Sequence, residues 1–144
     1  MPPIVESGRA PSQDGTGKAL NIALWVLQVA AATILFMAGV SKLSGTEQMV
    51  GLFEKIGIGQ WFRFVTGGLE ALGSLALLVP PLAGAGALVL GVVMAGAVIT
   101  HLIVIGGNPA MAMGLLLVMA VIAWVRRDRT ARLLRAAGVL PAEK

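Results

Sequence analysis

Four long apolar stretches set the pattern of this chain, separated by short segments rich in polar residues, proline or glycine. The first runs from about Leu20 to Leu43, the second from Phe62 to Val79, the third from Leu82 to Ile105 and the fourth from Ala110 to Val125. A helix of about 20 residues crosses a ~30 Å hydrocarbon core, and each stretch meets or approaches that length. The pattern predicts an all-α fold, an integral membrane four-helix bundle. Residues 1–17 mix Pro, Gly and both signs of charge, and are expected to be disordered. Residues 18–126 form the membrane domain, and 127–144 a basic tail. The first stretch is too long for the apolar region of a secretory signal, so it reads as an uncleaved span.

The connections differ. Pro80-Pro81 joins the second and third stretches with almost no loop, and Gly106-Gly107-Asn108-Pro109 makes another tight turn. Only residues 44–61 have content. Ser44-Gly45-Thr46-Glu47 fits a capping box, with a hydroxyl three residues before a glutamate. Met49, Val50, Phe53 and Ile56 then recur at helical spacing, and Gly57 suits a helix end. This predicts a short amphipathic helix at the outer interface, as a roof over the bundle or an anchor in the headgroups.

Composition supports the class. The chain has 144 residues, 57% hydrophobic and 12% charged, where a soluble domain carries about 25% charged. Eight Lys and Arg residues flank the two ends of the four-span region, against Lys42, Lys55 and Arg63 on the opposite side. An excess of basic residues marks the cytoplasmic side, which predicts cytoplasmic termini. Trp25 and Trp124 would then mark the inner interface and Trp61 the outer one. The net charge of +4 fits a basic tail beside anionic lipid and calls for no nucleic acid.

Small residues at four-residue spacing, Ala83, Ala87, Gly91 and Ala95, form a stripe on the third stretch, and Gly67, Ala71 and Ser74 form one on the second. Such stripes let helices approach closely in lipid, or line a cofactor groove.

Three ionisable residues interrupt the apolar segments. Lys42 closes the first, on a face shared with Gln28, Ala32, Leu35 and Gly39. Gly39 leaves room beside it. Glu70 lies about 10 Å below the outer end of the second, at 1.5 Å per residue. His101, preceded by Thr100, lies about 6 Å deep in the third by the same rise. Because the spans alternate direction, all three fall in the outer third. A carboxylate at that depth is neutral, paired or hydrated. Each residue has a structural reading: a lysine reaching the headgroups, an ion pair fixing register, a satisfied histidine. Together they form a candidate polar site, with Gln28, Gly39 and Thr100 as candidate binding residues beside Lys42, Glu70 and His101.

The residue inventory narrows the chemistry. One histidine and no cysteine do not make a zinc site of the usual composition, a bis-His or His/Cys haem site, or an Fe–S cluster. No glycine-rich phosphate loop follows a strand. Lys, Glu and His together suit proton transfer or the holding of a polar head group.

Phe36-Met37-Ala38-Gly39-Val40-Ser41-Lys42-Leu43, Gly67-Gly68-Leu69-Glu70-Ala71-Leu72-Gly73, Pro80 and His101 together resemble the DoxX-like family of small bacterial membrane proteins, over about residues 20–125. The DoxX branch proper tends to carry an arginine early in the first span. This chain has Asn21 and Gln28 there, closer to the DoxX-like branch. The resemblance implies a four-helix protein of the bacterial cytoplasmic membrane. It links the chain to oxidoreductases that use quinones, to oxidative-stress complexes and to catabolism of aromatic compounds. It marks Lys42, Glu70 and His101 as the polar positions. Two readings follow: an oxidoreductase-associated membrane subunit or enzyme acting on a quinone-like lipophilic ligand, with a redox partner protein or a homo-oligomer, or a non-catalytic lipid-binding or assembly protein in which the three residues are a structural lock.

Overall fold

The apolar stretches fold as helices, and no strand occurs among the described residues, 14–141, of the computed structural model. The elements are α1 (Asp14–Ser44), α2 (Glu47–Ile56), α3 (Gln60–Leu78), α4 (Ala83–Thr100), a π-helical turn (His101–Ile105), α5 (Ala110–Val125) and α6 (Arg127–Ala136). Residues 14–17 belong to α1, although disorder was the expectation for 1–17. The expectation for 1–13 falls outside the described residues. Residues 127–136 form a helix rather than a plain tail, because Leu133, Leu134 and Thr130 recur on one side of an otherwise basic segment.

Helix α3 is central, packing on α1 and on α4, while α4 packs on α5. The interior is built from small and branched apolar residues, Ala31, Ala32, Leu35, Leu77, Ala87, Leu90, Met94, Met119 and Ile122. The outside is apolar too. Val26, Met37, Leu72, Val92, Ile103, Met111 and Leu117 are all widely exposed. An exposed apolar belt of this extent suits hydrocarbon rather than water. Two helices are long and apolar enough to cross a membrane, Gly17–Ser44 within α1 and Ala83–Ile105. The pair α5–α6 makes a third only if taken as one bent span, since the chain turns by 66° between them. Arg63 and Glu70 lower the hydropathy of α3, and α5 alone has 16 residues.

Local chemistry sets the turns. Val79 is extended, as a residue before proline prefers, and Leu82 closes the Pro80-Pro81 turn by donating to the Val79 carbonyl at 2.9 Å. Gly106 takes a left-handed conformation and donates to the His101 carbonyl at 3.0 Å, ending the π turn. The Asn108 side-chain oxygen accepts from the Ala110 N–H at 2.9 Å and starts α5. Gly57 ends α2 at φ 76°, as its sequence position suggests.

The capping box does not form. Ser44 still belongs to α1, and its hydroxyl donates to the Val40 carbonyl at 2.8 Å. Thr46 occupies the N-cap of α2 and makes no side-chain cap bond. The amphipathic face of α2 does form: Phe53 is buried and Met49, Val50 and Ile56 are half-buried. Phe53 meets Phe62 of α3 with ring centroids 6.0 Å apart. Because α2 touches α1, α3 and the π turn, it lies across all three at that end.

Candidate functional site

The register of α3 builds the site. Arg63, Gly67, Glu70, Ser74 and Leu77 recur at spacings of four and three, so they share one face, and all five are buried. Opposite them, α1 brings Gly39 and Lys42. A Cβ on Gly39 would lie 2.8 Å from the Ala71 nitrogen and the Gly67 carbonyl oxygen. A Cβ on Gly67 would lie 2.9 Å from the Lys42 Cβ. The two helices therefore cross backbone to backbone at Gly39 and Gly67, as small residues permit in lipid.

That crossing places Lys42 Nζ 2.6 Å from Glu70 Oε2. The Glu70 side chain is 3% exposed and that of Lys42 16%. Lys42 engages one carboxylate oxygen. Among the described residues, Glu70 Oε1 accepts no hydrogen bond, and two of the three Lys42 donors are unused. Ser74 donates to the Glu70 backbone carbonyl at 2.5 Å, which fixes the next turn of α3.

Arg63 completes this end. Its guanidinium donates to the Lys42 carbonyl and, through Nε, to Gln60 Oε1 at 2.9 Å. A cation on the last carbonyls of a helix satisfies groups that have no partner within it. Gly45, at φ 68°, lies against the same guanidinium and lets α1 end there. In the sequence Arg63 counts only as a charge near a span end. Its place on the 63, 67, 70, 74, 77 repeat is the signal that assigns it inward.

Of the other candidate residues, Gly39 lies at the crossing, while His101 and Thr100 bond within their own helix. His101 Nδ1 is 2.8 Å from the Ala97 carbonyl, one turn back in its own helix. A carbonyl only accepts, so Nδ1 carries a proton, and in the neutral ring Nε2 is then the acceptor. Thr100 likewise donates to the Gly96 carbonyl at 2.8 Å. Neither hydrogen-bonds to Lys42 or Glu70. Gln28 lies about 21 Å along α1 from Lys42 at 1.5 Å per residue, near the opposite end. There its amide donates to the Leu77 carbonyl. In a continuing helix the acceptor at 77 would be served by the N–H of residue 81, but that residue is proline and has none. Gln28 supplies the missing donor. It is a helix-end partner, placed by the Pro80-Pro81 turn, and no part of the Lys42 site. No group of three or more His, Cys, Asp or Glu residues able to hold a metal occurs among the described residues.

A helical chain with an exposed apolar surface and a buried ion pair between two closely crossed helices is a membrane protein of the all-α class. The sequence profile of the DoxX-like family matches residues 26–126, and the chain belongs to that family. No curated protein and no solved structure matches it.

Proposed function

We propose that Lys42 and Glu70 form a polar site for proton handling, or for the head of a quinone-like lipophilic ligand, in a membrane subunit associated with an oxidoreductase. The observation that carries this reading is the incomplete satisfaction of the pair. Glu70 Oε1 and two Lys42 donors have no partner, while Lys42 keeps partial access from its end of α1. A buried carboxylate with a free oxygen accepts a proton or a hydroxyl donor, and an ammonium donates to a ring oxygen. A quinone-like ring supplies oxygens that take up protons as it gains electrons. With one histidine and no cysteine in the chain, those electrons come from a bound redox molecule or a partner protein. His101, with Nε2 available, is a second proton acceptor at the end covered by α2.

The topology that suits this site has four spans in the bacterial cytoplasmic membrane. Both termini face the cytoplasm, and Lys42, Glu70 and α2 lie toward the outer face. The Arg-rich α6 supports that orientation.

The second reading is a structural lock in a non-catalytic lipid-binding or assembly protein. The close Gly39–Gly67 crossing favours it, since the pair sits where it would fix helix register. The experiment that decides is purification in mild detergent with extraction of bound small molecules. Co-purification of a quinone or lipid by the natural chain, and its loss in a folded Glu70→Gln variant, supports the first reading. Absence of any bound molecule that depends on Glu70, with Glu70→Gln and His101→Ala both unfolding the protein, supports the second.

A further inference from the structure

At the opposite end of the molecule, the α3–α4 turn and α6 enclose an open cleft of about 500 Å³ lined by Pro80, Pro81, Arg129, Arg132 and Leu133. The cleft is two-sided in chemistry. Arg129 and Arg132, three residues apart on α6, line one side of it, while the two prolines and Leu133 give it an apolar wall. Neither arginine side chain forms an ion pair among the described residues. The single acidic residue of α6, Asp128, pairs instead with Arg127 at 3.8 Å, and Arg132 Nε reaches only the Asp128 backbone carbonyl at 3.4 Å.

The surroundings hold the cleft in shape. The two prolines restrict the backbone of the turn. Thr130 is buried against Gly84 at the start of α4, where a Cβ on residue 84 would overlap its hydroxyl. This contact fixes α6 at the 66° bend that follows α5. Arg126, at the bend, is 7% exposed and stacks toward Trp25 with 5.7 Å from its guanidinium carbon to the ring centroid. Its Nη2 is buried without a partner. Burial, and then the charge of Arg129, push its pKa below the ordinary arginine value.

We infer that this cleft binds the phosphate headgroup of an anionic phospholipid, with Arg129 and Arg132 on the phosphate and the glycerol and first acyl carbons against Pro80, Pro81 and Leu133. Guanidinium groups match phosphate oxygens as paired donors. An amphipathic helix turned away from its preceding span lies where headgroups are. The mixed lining selects a lipid over a free anion, because inorganic phosphate leaves the apolar wall uncovered. The site is separate from Lys42 and Glu70, so the failure of either reading leaves the other standing.

The test is native mass spectrometry of the detergent-solubilised full chain with equal amounts of phosphatidylglycerol and phosphatidylcholine. Phosphatidylglycerol, whose phosphate charge no choline offsets, is expected to be retained at least about tenfold better, given roughly fivefold per basic group near anionic lipid. Arg129→Gln/Arg132→Gln is expected to abolish the preference, while Arg127→Gln, whose side chain faces Trp124 and Asp128, keeps most of it. If circular dichroism shows that the double variant has lost helix, Arg132→Gln alone decides, with about a fivefold loss expected. A preference that survives the arginine variants overturns the inference. So does an equal loss in Arg127→Gln, which would mean diffuse attraction, or displacement of the lipid by millimolar inorganic phosphate, which would mean a free-anion site.

Discussion

Lys42 Nζ and Glu70 Oε2 stand 2.6 Å apart at the point where α1 and α3 cross through Gly39 and Gly67. The pair and the crossing depend on each other. Without the glycines the backbones separate and the side chains no longer meet. Without the pair, a charge is left on the inward face of a helix in hydrocarbon.

Breaking the pair from the lysine side is therefore expected to do more harm than breaking it from the glutamate side. Lys42→Met strands a nearly fully buried carboxylate and should cost about 3–5 kcal/mol. In Glu70→Gln the lysine still reaches its helix end and the amide still accepts, so the loss is smaller. The double variant Lys42→Met/Glu70→Met should recover most of the stability lost by Lys42→Met. Reversible unfolding in mixed micelles measures all three, and a double variant no better than Lys42→Met would contradict this account.

The crossing has its own test. Gly39→Ala places a methyl group against backbone atoms that have no rotamer to move, so a loss of about 1–3 kcal/mol or more is expected from overpacking. Gly68→Ala, one residue from the crossing and facing open space, should be neutral or gain up to about 1 kcal/mol from helix propensity. The melting temperature of Gly39→Ala should fall, while that of Gly68→Ala should hold or rise.

Gln28 and the Pro80-Pro81 turn predict a third effect. Gln28→Leu keeps the volume but leaves the Leu77 carbonyl buried without its donor, at a cost of about 1–3 kcal/mol. The same variant should leave any ligand bound at Lys42 and Glu70 unaffected, because the two places are about 21 Å apart along α1. Loss of binding at unchanged stability would return Gln28 to the candidate site.

Docking of α6 depends on Gly84. Gly84→Val forces Thr130 away and should speed tryptic cleavage within Arg127–Ala136 several-fold, on the order of the opening expected from 1–3 kcal/mol of overpacking. Thr130→Ala in the same chain removes the colliding hydroxyl and should restore part of the protection.

The proposed topology is open to cysteine labelling without background, since the chain has no cysteine of its own. In intact cells a membrane-impermeant maleimide should label Ile58→Cys and spare Val139→Cys. The reverse pattern would invert the orientation.

Much of the candidate site is legible in the residue pattern. Counting depth from alternating span ends puts Lys42, Glu70 and His101 in one outer third, of which the first two pair, and Gly39 one turn before Lys42 marks the face that must be small. Arg63 was equally visible on the α3 repeat, but its position near a span end gave it a simpler meaning as a topology charge. Ser44-Gly45-Thr46-Glu47 fits a capping pattern that the chain does not use, because Ser44 bonds back into α1 and Gly45 turns left-handed before α2 begins. The contacts of Gln28, His101 and Thr100 were not legible. A polar side chain on an apolar helix announces only that it needs a partner, and a backbone carbonyl in the same or a neighbouring helix satisfies that need as well as a distant side chain does.

The sequence by itself determined that the chain is helical, apolar on its outside and built around a few costly polar groups, because hydrocarbon leaves a backbone little choice but helices and penalises each unpaired charge. The tertiary structure decided which of those groups meet. Helix α3 lies between α1 and α4, so its inward face carries Glu70 to Lys42 and Leu77 to Gln28, while His101 and Thr100 turn to carbonyls of their own helix. Depth along a span can be counted from residues, but the angle around each helix axis is set by packing alone, and that angle determines which partners can meet.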